Sequence, residues 1–169
     1  MEIRTERLLL RHPRLSDVAG MYAIMSDPRA MAYWSTLPHA SLAQTELWVR
    51  KMVVEAESGP YYDFIIERDG AVIGSAGYWR PPEIGFILHP DHWRQGLTRE
   101  AVAPLIKLGF ETLDLEEITA DVDPRNTASL ALLGGFGFRQ TRFAARTFEI
   151  GGVWADSIYL SLKRSDANA

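Results

Sequence analysis

Cysteine is missing from the chain altogether. That absence removes disulfides, thiolate metal sites and a cysteine nucleophile together. Positive charge is not in surplus either: 18 Lys and Arg face 22 Asp and Glu, the formal charge is −4, and no Lys/Arg stripe runs through the sequence. A nucleic-acid surface therefore has no electrostatic support. No apolar run reaches membrane-spanning length, and the start, Met1 to Arg7, mixes charges without the apolar stretch of a secretory signal. Repeats, low-complexity tracts and linkers are absent too. The expectation is a soluble protein of the cytoplasm with neither membrane nor nucleic acid as a partner.

What is present is 169 residues, 47% of them hydrophobic. This is enough for one domain with a substantial core and too little for two ordinary ones. The domain is expected over residues 1–164, with a flexible C-terminal tail at 165–169.

Periodicity and turn chemistry give a coarse architecture. Leu8 to Arg11 reads as a strand, Ser16 as the cap of a helix through Met25, and Ser41-x-x-Gln44 as a capping box opening a helix over Leu42 to Ser58. Tyr62 to Glu67 and Ala71 to Tyr78 form a hairpin around Arg68-Asp69-Gly70. After Pro81-Pro82 comes a buried strand, then a helix to Phe110 or Leu113 and a strand over Ile118 to Val122, which together make a βαβ crossover. Asn126 caps a short helix, and Phe138 to Ile150 pairs with Val153 to Leu162 across Gly151-Gly152. The order β-α-α-β-β-β-α-β-α-β-β is that of an α/β fold, a mixed sheet with helices on both faces. Pro104 should kink the third helix or free one carbonyl for another partner.

The richest segment is Glu83 to Ala101. The apolar run Ile84, Phe86, Ile87, Leu88 supplies a strand, and Leu97, Ala101, Leu105 and Leu108 share one helix face. Between them Arg94-Gln95-Gly96-Leu97-Thr98 turns the chain and leaves the first helical amides free to hold an anion. A Walker loop needs a second Gly followed by Lys and Ser or Thr, and a Rossmann turn needs three spaced glycines; neither pattern occurs. Taken alone, the turn serves an anion or merely redirects the chain with equal weight.

Two further blocks stand in order with it. Asn126-Thr127-Ala128-Ser129 is followed by Leu132-Leu133 and Phe136-Gly137-Phe138, and Thr5-Glu6-Arg7-Leu8-Leu9-Leu10-Arg11 precedes Ser16-Asp17, Ser26-Asp27-Pro28 and Tyr33-Trp34. Together these blocks resemble the GCN5-related N-acetyltransferase (GNAT) superfamily from about Ile3 to Leu162. The wording of Trp93 to Ala101 looks most like its RimJ/RimL-like ribosomal-protein N-acetyltransferase branch.

The resemblance implies an acetyl-CoA-dependent N-acetyltransferase without a metal, whose fourth and fifth strands (here at Glu83 and Ile118) splay around the acetyl-pantetheine arm. It assigns the pyrophosphate to Arg94, Gln95, Gly96, Leu97, Thr98 and Arg99, and the arm to the strand Phe86, Ile87, Leu88, with the Leu88 amide polarising the carbonyl. Asn126 would hold the arm by the same likeness, although a helix cap explains its presence equally well. Acyl transfer to an amine needs a neutral amine, a polarised carbonyl and a stabilised thiolate. Glu83 matches the family's base in E-I-x-F, and a solvated strand-end residue is an equal reading. A Tyr acid is common seven positions after the motif Asn, but Leu133 stands there; Ser129 matches the serine placed beside the sulfur in this branch. Thr98 stands where Ala or Gly is usual.

Trp34 and Tyr78 are expected to wall the acceptor pocket, with Glu46 and Glu83 as an acidic lip. His89 and His92 lie in a loop and are not read as a metal pair. The acceptor is a protein N-terminal amine or a small-molecule amine. A non-catalytic CoA-binding regulatory domain is the alternative, and the terminal hairpin offers an edge that could pair with a second copy to form a homodimer.

Overall fold

A computed structural model describes residues 1–167 of the chain. Strands β1 (Glu2–Arg4) and β2 (Leu9–Arg11) lead to helices α1 (Val18–Met25) and α2 (Leu42–Ser58). Then follow β3 (Tyr62–Arg68), β4 (Ala71–Arg80), β5 (Glu83–Leu88), α3 (Leu97–Glu111), β6 (Glu117–Val122), α4 (Thr127–Gly134), β7 (Arg139–Ile150), β8 (Val153–Lys163) and α5 (Arg164–Ala167). One mixed sheet of eight strands results, in the order β1-β2-β3-β4-β5-β6-β8-β7. The expected α/β class and element order hold, with one strand added at the start and, where a flexible tail is expected, a short helix over Arg164–Ala167 at the end.

That strand, β1, is too short and polar to carry a periodic signal, and it exists by pairing Ile3 with Leu10 on β2. Ser16 does not cap a helix. A 3-10 turn, Leu15–Asp17, precedes α1, and the buried Asp17 carboxylate accepts from the Arg14 amide at 2.7 Å. Ser41 does cap α2, accepting from the Gln44 amide, while the Gln44 side chain reaches back to the Ala40 amide. Helix α3 runs through Pro104 without a break. At the end of the chain, α5 continues from β8, with Arg164 held by Asp114 and the Leu115 carbonyl; residues 168–169 of the expected tail lie outside the described residues.

Alternation along the strands divides the core between the two faces of the sheet. Phe64, Ile66, Ile73, Tyr78, Ile84, Leu88, Ile118 and Ala120 pack with Leu97, Ala101, Leu105 and Phe110 of α3 and with Leu133 of α4. On the opposite face Ile65 and Ile87 pack with Met21, Ile24 and Met25 of α1 and with Val49 and Met52 of α2. Arg11 pins the near end: buried between Asp17 and Glu67, it reaches each carboxylate at 2.7 Å. The β7–β8 hairpin closes through Gly151 and Gly152, both at positive φ (58° and 81°), the pair of conformations that a tight turn between twisted strands requires.

Only one pair in the sheet is parallel, β5 with β6, the outcome of the crossover through α3. It is also the shortest. Glu83 sits opposite Thr119, whose amide donates to the Pro82 carbonyl, and there the pairing ends. Beyond this rung the sheet is open.

Candidate active site

The opening between β5 and β6 organises everything around it. Backbone groups alternate sides along a strand, and His89 donates to Ile73 on the β4 side, so the groups of Phe86 and Leu88 face β6, where pairing has ceased. The Leu88 carbonyl is taken by the Trp93 indole N–H at 2.8 Å. The amides of Phe86 and Leu88 are left toward the gap as donors. Ile87 faces the other way, its side chain buried against α1 and α2.

One end of the gap meets the start of α3. Gly96 occupies the N-cap position in the left-handed region (φ 76°) and offers no side-chain cap, so the Leu97, Thr98 and Arg99 amides lack an intrahelical acceptor; Glu100 is the first to donate back, to the Gly96 carbonyl. This turn is held from outside. Glu100 accepts from the Thr5 hydroxyl at 2.6 Å and from the Arg7 amide and guanidinium at 2.7 Å, while Arg7 also donates to the Gln95 carbonyl. Burial alone would raise the Glu100 carboxyl, but these donors outweigh it and hold it below the usual range. Gln95 is engaged by Arg68 and by the Asp91 carbonyl. Among the described residues the Arg94 guanidinium has no partner, and Arg99 stacks on Phe136 at 4.6 Å. Free amides flanked by such cations fit a pyrophosphate.

Beside the gap, Asn126 caps α4, its side-chain oxygen accepting from the Ser129 amide at 3.1 Å. Ser129 is half-buried with its hydroxyl unengaged among the described residues, and Leu133, where a tyrosine acid is common, is a buried core residue. Asn126 and Ser129 are thereby brought together.

On the α1/α2 face of the sheet lies a cavity of about 630 Å³, walled by Trp34 and Trp79 and reached by Glu83, Gly85 and Phe86 of β5. Tyr78 is not on its wall. Its side chain points into the α3 core, 2% exposed, with the hydroxyl donating to the Leu105 carbonyl at 2.9 Å, and the next residue, Trp79, takes the expected place. The reason is the period of a strand: neighbouring residues face opposite sides. Trp79 donates from its indole to Glu83 at 3.4 Å. Glu46 is absent from the cavity, paired instead with Arg50 on the outer side of α2.

Several polar residues line this cavity that no motif marked: Asp63 on β3, Ser75 on β4, Asp121 on β6 and Asp123 just after it. Burial, with the Phe64 amide pulling back and the Glu55 charge adding, pushes the Asp63 carboxyl up to about 7. Burial also raises Asp121, against the Ser157 hydroxyl and the Arg142 charge. Asp123 is ion-paired with Arg125 at 2.6 Å. A carboxylate inside an otherwise apolar strand, Tyr-Asp-Phe-Ile-Ile, was the available signal for Asp63.

Helices on both faces, a sheet parted at its parallel pair, free amides at the start of α3 and a cavity against β5 are thus set around one strand. Residues 7–139 match the profile of the Acetyltransferase (GNAT) domain. A Bacillus licheniformis relative, the uncharacterized N-acetyltransferase p20, is 32% identical over 145 residues, covering 80% of this chain and 81% of its own. Ribosomal-protein-S5-alanine acetyltransferase from Vibrio fischeri superposes with a TM-score of 0.81 at 23% identity, over 98% of each chain. The spermidine N-acetyltransferase from Vibrio cholerae, solved with CoA and spermine, does so with a TM-score of 0.79 at 21% identity, over 98% of this chain and 100% of its own. No helix among the described residues is long and apolar enough to cross a membrane. With a family profile spanning most of its length and the corresponding fold, the chain belongs to the GNAT acetyltransferase family and is an acyltransferase enzyme.

Proposed function

We propose that this protein moves an acetyl group from acetyl-CoA to a primary amine by direct transfer, both substrates being bound at once. The observation that carries the reading is the parting of β5 from β6 beyond Glu83 and Thr119, with the cavity against Glu83 and Gly85 of β5 and the free amides of α3 following the end of that strand. The fit of the cradle to a pyrophosphate supports acetyl-CoA as donor, as does the CoA held by the Vibrio cholerae relative. The Trp93 to Ala101 wording and the Vibrio fischeri likeness support the RimJ/RimL-like branch. We take residues 1–164 as one catalytic domain working in the cytoplasm, with which the lack of cysteine is compatible.

The chemistry follows from what the residues can do. An acceptor arrives as an ammonium and gives up a proton to Glu83, directly or through water, so that its nitrogen lone pair becomes available. That nitrogen adds to the thioester carbonyl, whose developing negative charge is met by the amides of Phe86 and Leu88. The carbon–sulfur bond then breaks, the nitrogen loses its second proton, and the sulfur leaves as thiolate and is protonated. Ser129 orients the sulfur by hydrogen bonding. Net, one ammonium and one thioester give one amide, one thiol and one proton.

Thiol release from acetyl-CoA across a panel of N-terminal peptides, amino acids, polyamines and aminoglycosides tests the reading. Amine-dependent release supports it. Tight CoA binding without turnover on any amine would replace it with a non-catalytic CoA-binding domain.

A further inference from the structure

Asp63, Gly77 and Gly85 stand in register across β3, β4 and β5. This row lies on the cavity side, and two of its three members, Gly77 and Gly85, have no side chains. A Cβ on Gly77 would collide with the Tyr62 carbonyl and the Asp63 Cα, whereas one on Gly85 would stand in open space. The result is a trough across the sheet from β5 to Asp63, banked by Ser75 on one side and Trp79 on the other, since these flank Gly77 at two residues' distance. Its length is two strand spacings, about 10 Å.

The far end of the trough is built for charge. Ser75 is 4% exposed, lines the cavity, and among the described residues nothing hydrogen-bonds its hydroxyl. Its hydroxyl is thus free to meet a ligand in the cavity, although the residue around it is packed in the sheet. Six carboxylates reach the cavity, against Lys51, Arg80 and Arg125. Asp123 is spent on Arg125, Glu55 on Lys51, and Asp156 accepts from the Arg146 amide. Asp63, Glu83 and Asp121 form no salt bridge among the described residues, and Arg80 lies over the Trp79 ring. The uncompensated charge is negative, and Glu83 and Asp63 mark opposite ends of the trough.

The geometry points to a cation subsite at Asp63 and Ser75 that holds the remote ammonium of a diamine acceptor while its other nitrogen lies at the β5–β6 gap. Asp63 is not placed to take the reacting proton itself: a base must come within about 3 Å of that proton's nitrogen, and the trough keeps it several times farther away. A held charge suits its position. The inference rests on the acetyl-transfer reading for the identity of the near nitrogen, but the subsite is testable without turnover.

The experiment is a calorimetric titration of the protein, with and without CoA, using α,ω-diamines of increasing length and the monoamines of matching length. Wild type should prefer a diamine that spans the trough over its monoamine by about tenfold or more, the worth of one hydrogen bond to a charged group. Asp63→Asn should erase that preference, and Ser75→Ala, a gentler change that keeps the charge, should reduce it. Thermal melts establish that each variant is folded. Equal affinity for diamine and monoamine in wild type, or a preference that survives Asp63→Asn, overturns the subsite. Failure to bind CoA would count against the transfer reading instead, and the diamine titration alone would still decide the subsite.

Discussion

Glu83 and Thr119 form the single rung that joins β5 to β6, and the same Glu83 faces the cavity with the Trp79 indole against its carboxylate. The residue that ends the pairing thus also lines the cavity. If it takes the amine proton, Glu83→Gln should lower kcat/KM for acetyl transfer by about 100-fold or more. CoA affinity should stay the same. A steady-state comparison checks this, and full activity in the variant would remove Glu83 as the base.

The cradle makes a separate prediction. Arg94 is exposed and, among the described residues, unpaired beside the free amides of α3, so Arg94→Ala should weaken CoA binding by about tenfold, the scale of one charge-assisted hydrogen bond. Titration with acetyl-pantetheine is the control. That compound lacks the pyrophosphate, and its affinity should not change.

Tyr78 and Trp79 should separate cleanly by substitution. Tyr78→Phe removes the hydrogen bond to the Leu105 carbonyl, at a cost of about 1 kcal/mol in stability. It should not alter the KM for the acceptor. Trp79→Ala should raise that KM, because the indole walls the cavity and holds Glu83. Melting curves and acceptor kinetics on both variants test the assignment.

Asp63 gives the protein a pH signature. Its carboxyl is raised to about 7 in the folded state, so the native protein binds more protons than the unfolded chain between the ordinary carboxylate range and about pH 7. Stability attributable to this residue is therefore greatest below that window and falls as pH rises through it. Asp63→Asn should remove the fall. A cation bound at Asp63 favours the ionised form, so diamine affinity should decline toward tenfold per pH unit below about 7 in wild type only. The other titratable groups facing the cavity are Lys51 and Glu55 of α2, Tyr33, Tyr61, His39, Arg80 and Glu83, Asp121, Asp123 and Arg125, and Asp156 of β8. Of these, His39 is held below its usual value by burial, and the pH series on Asp63→Asn separates its contribution.

Strands and helices with strong periodicity were legible in the chain, as were the turn with free amides before α3 and the contact of Asn126 with Ser129, because each is contiguous in sequence. What escaped depends on register between distant strands. Asp63 becomes notable only when Gly77 and Gly85 line up beside it, and Ser75 only because the sheet buries it against a cavity. Tyr78 and Trp79 differ by one residue, and a one-residue error of phase exchanges core for pocket. Strand β1 and the Asp17-centred turn were hidden for a related reason: both are made by tertiary partners, Leu10 and Arg11.

The most direct measurement is thiol release from acetyl-CoA, followed from the first turnover, with and without an amine acceptor. Transfer within a ternary complex predicts no release and no acetylated enzyme in the absence of amine, and one thiol per acetylated amine in its presence. An amine-independent burst of thiol with an acetyl group left on the protein would contradict the account.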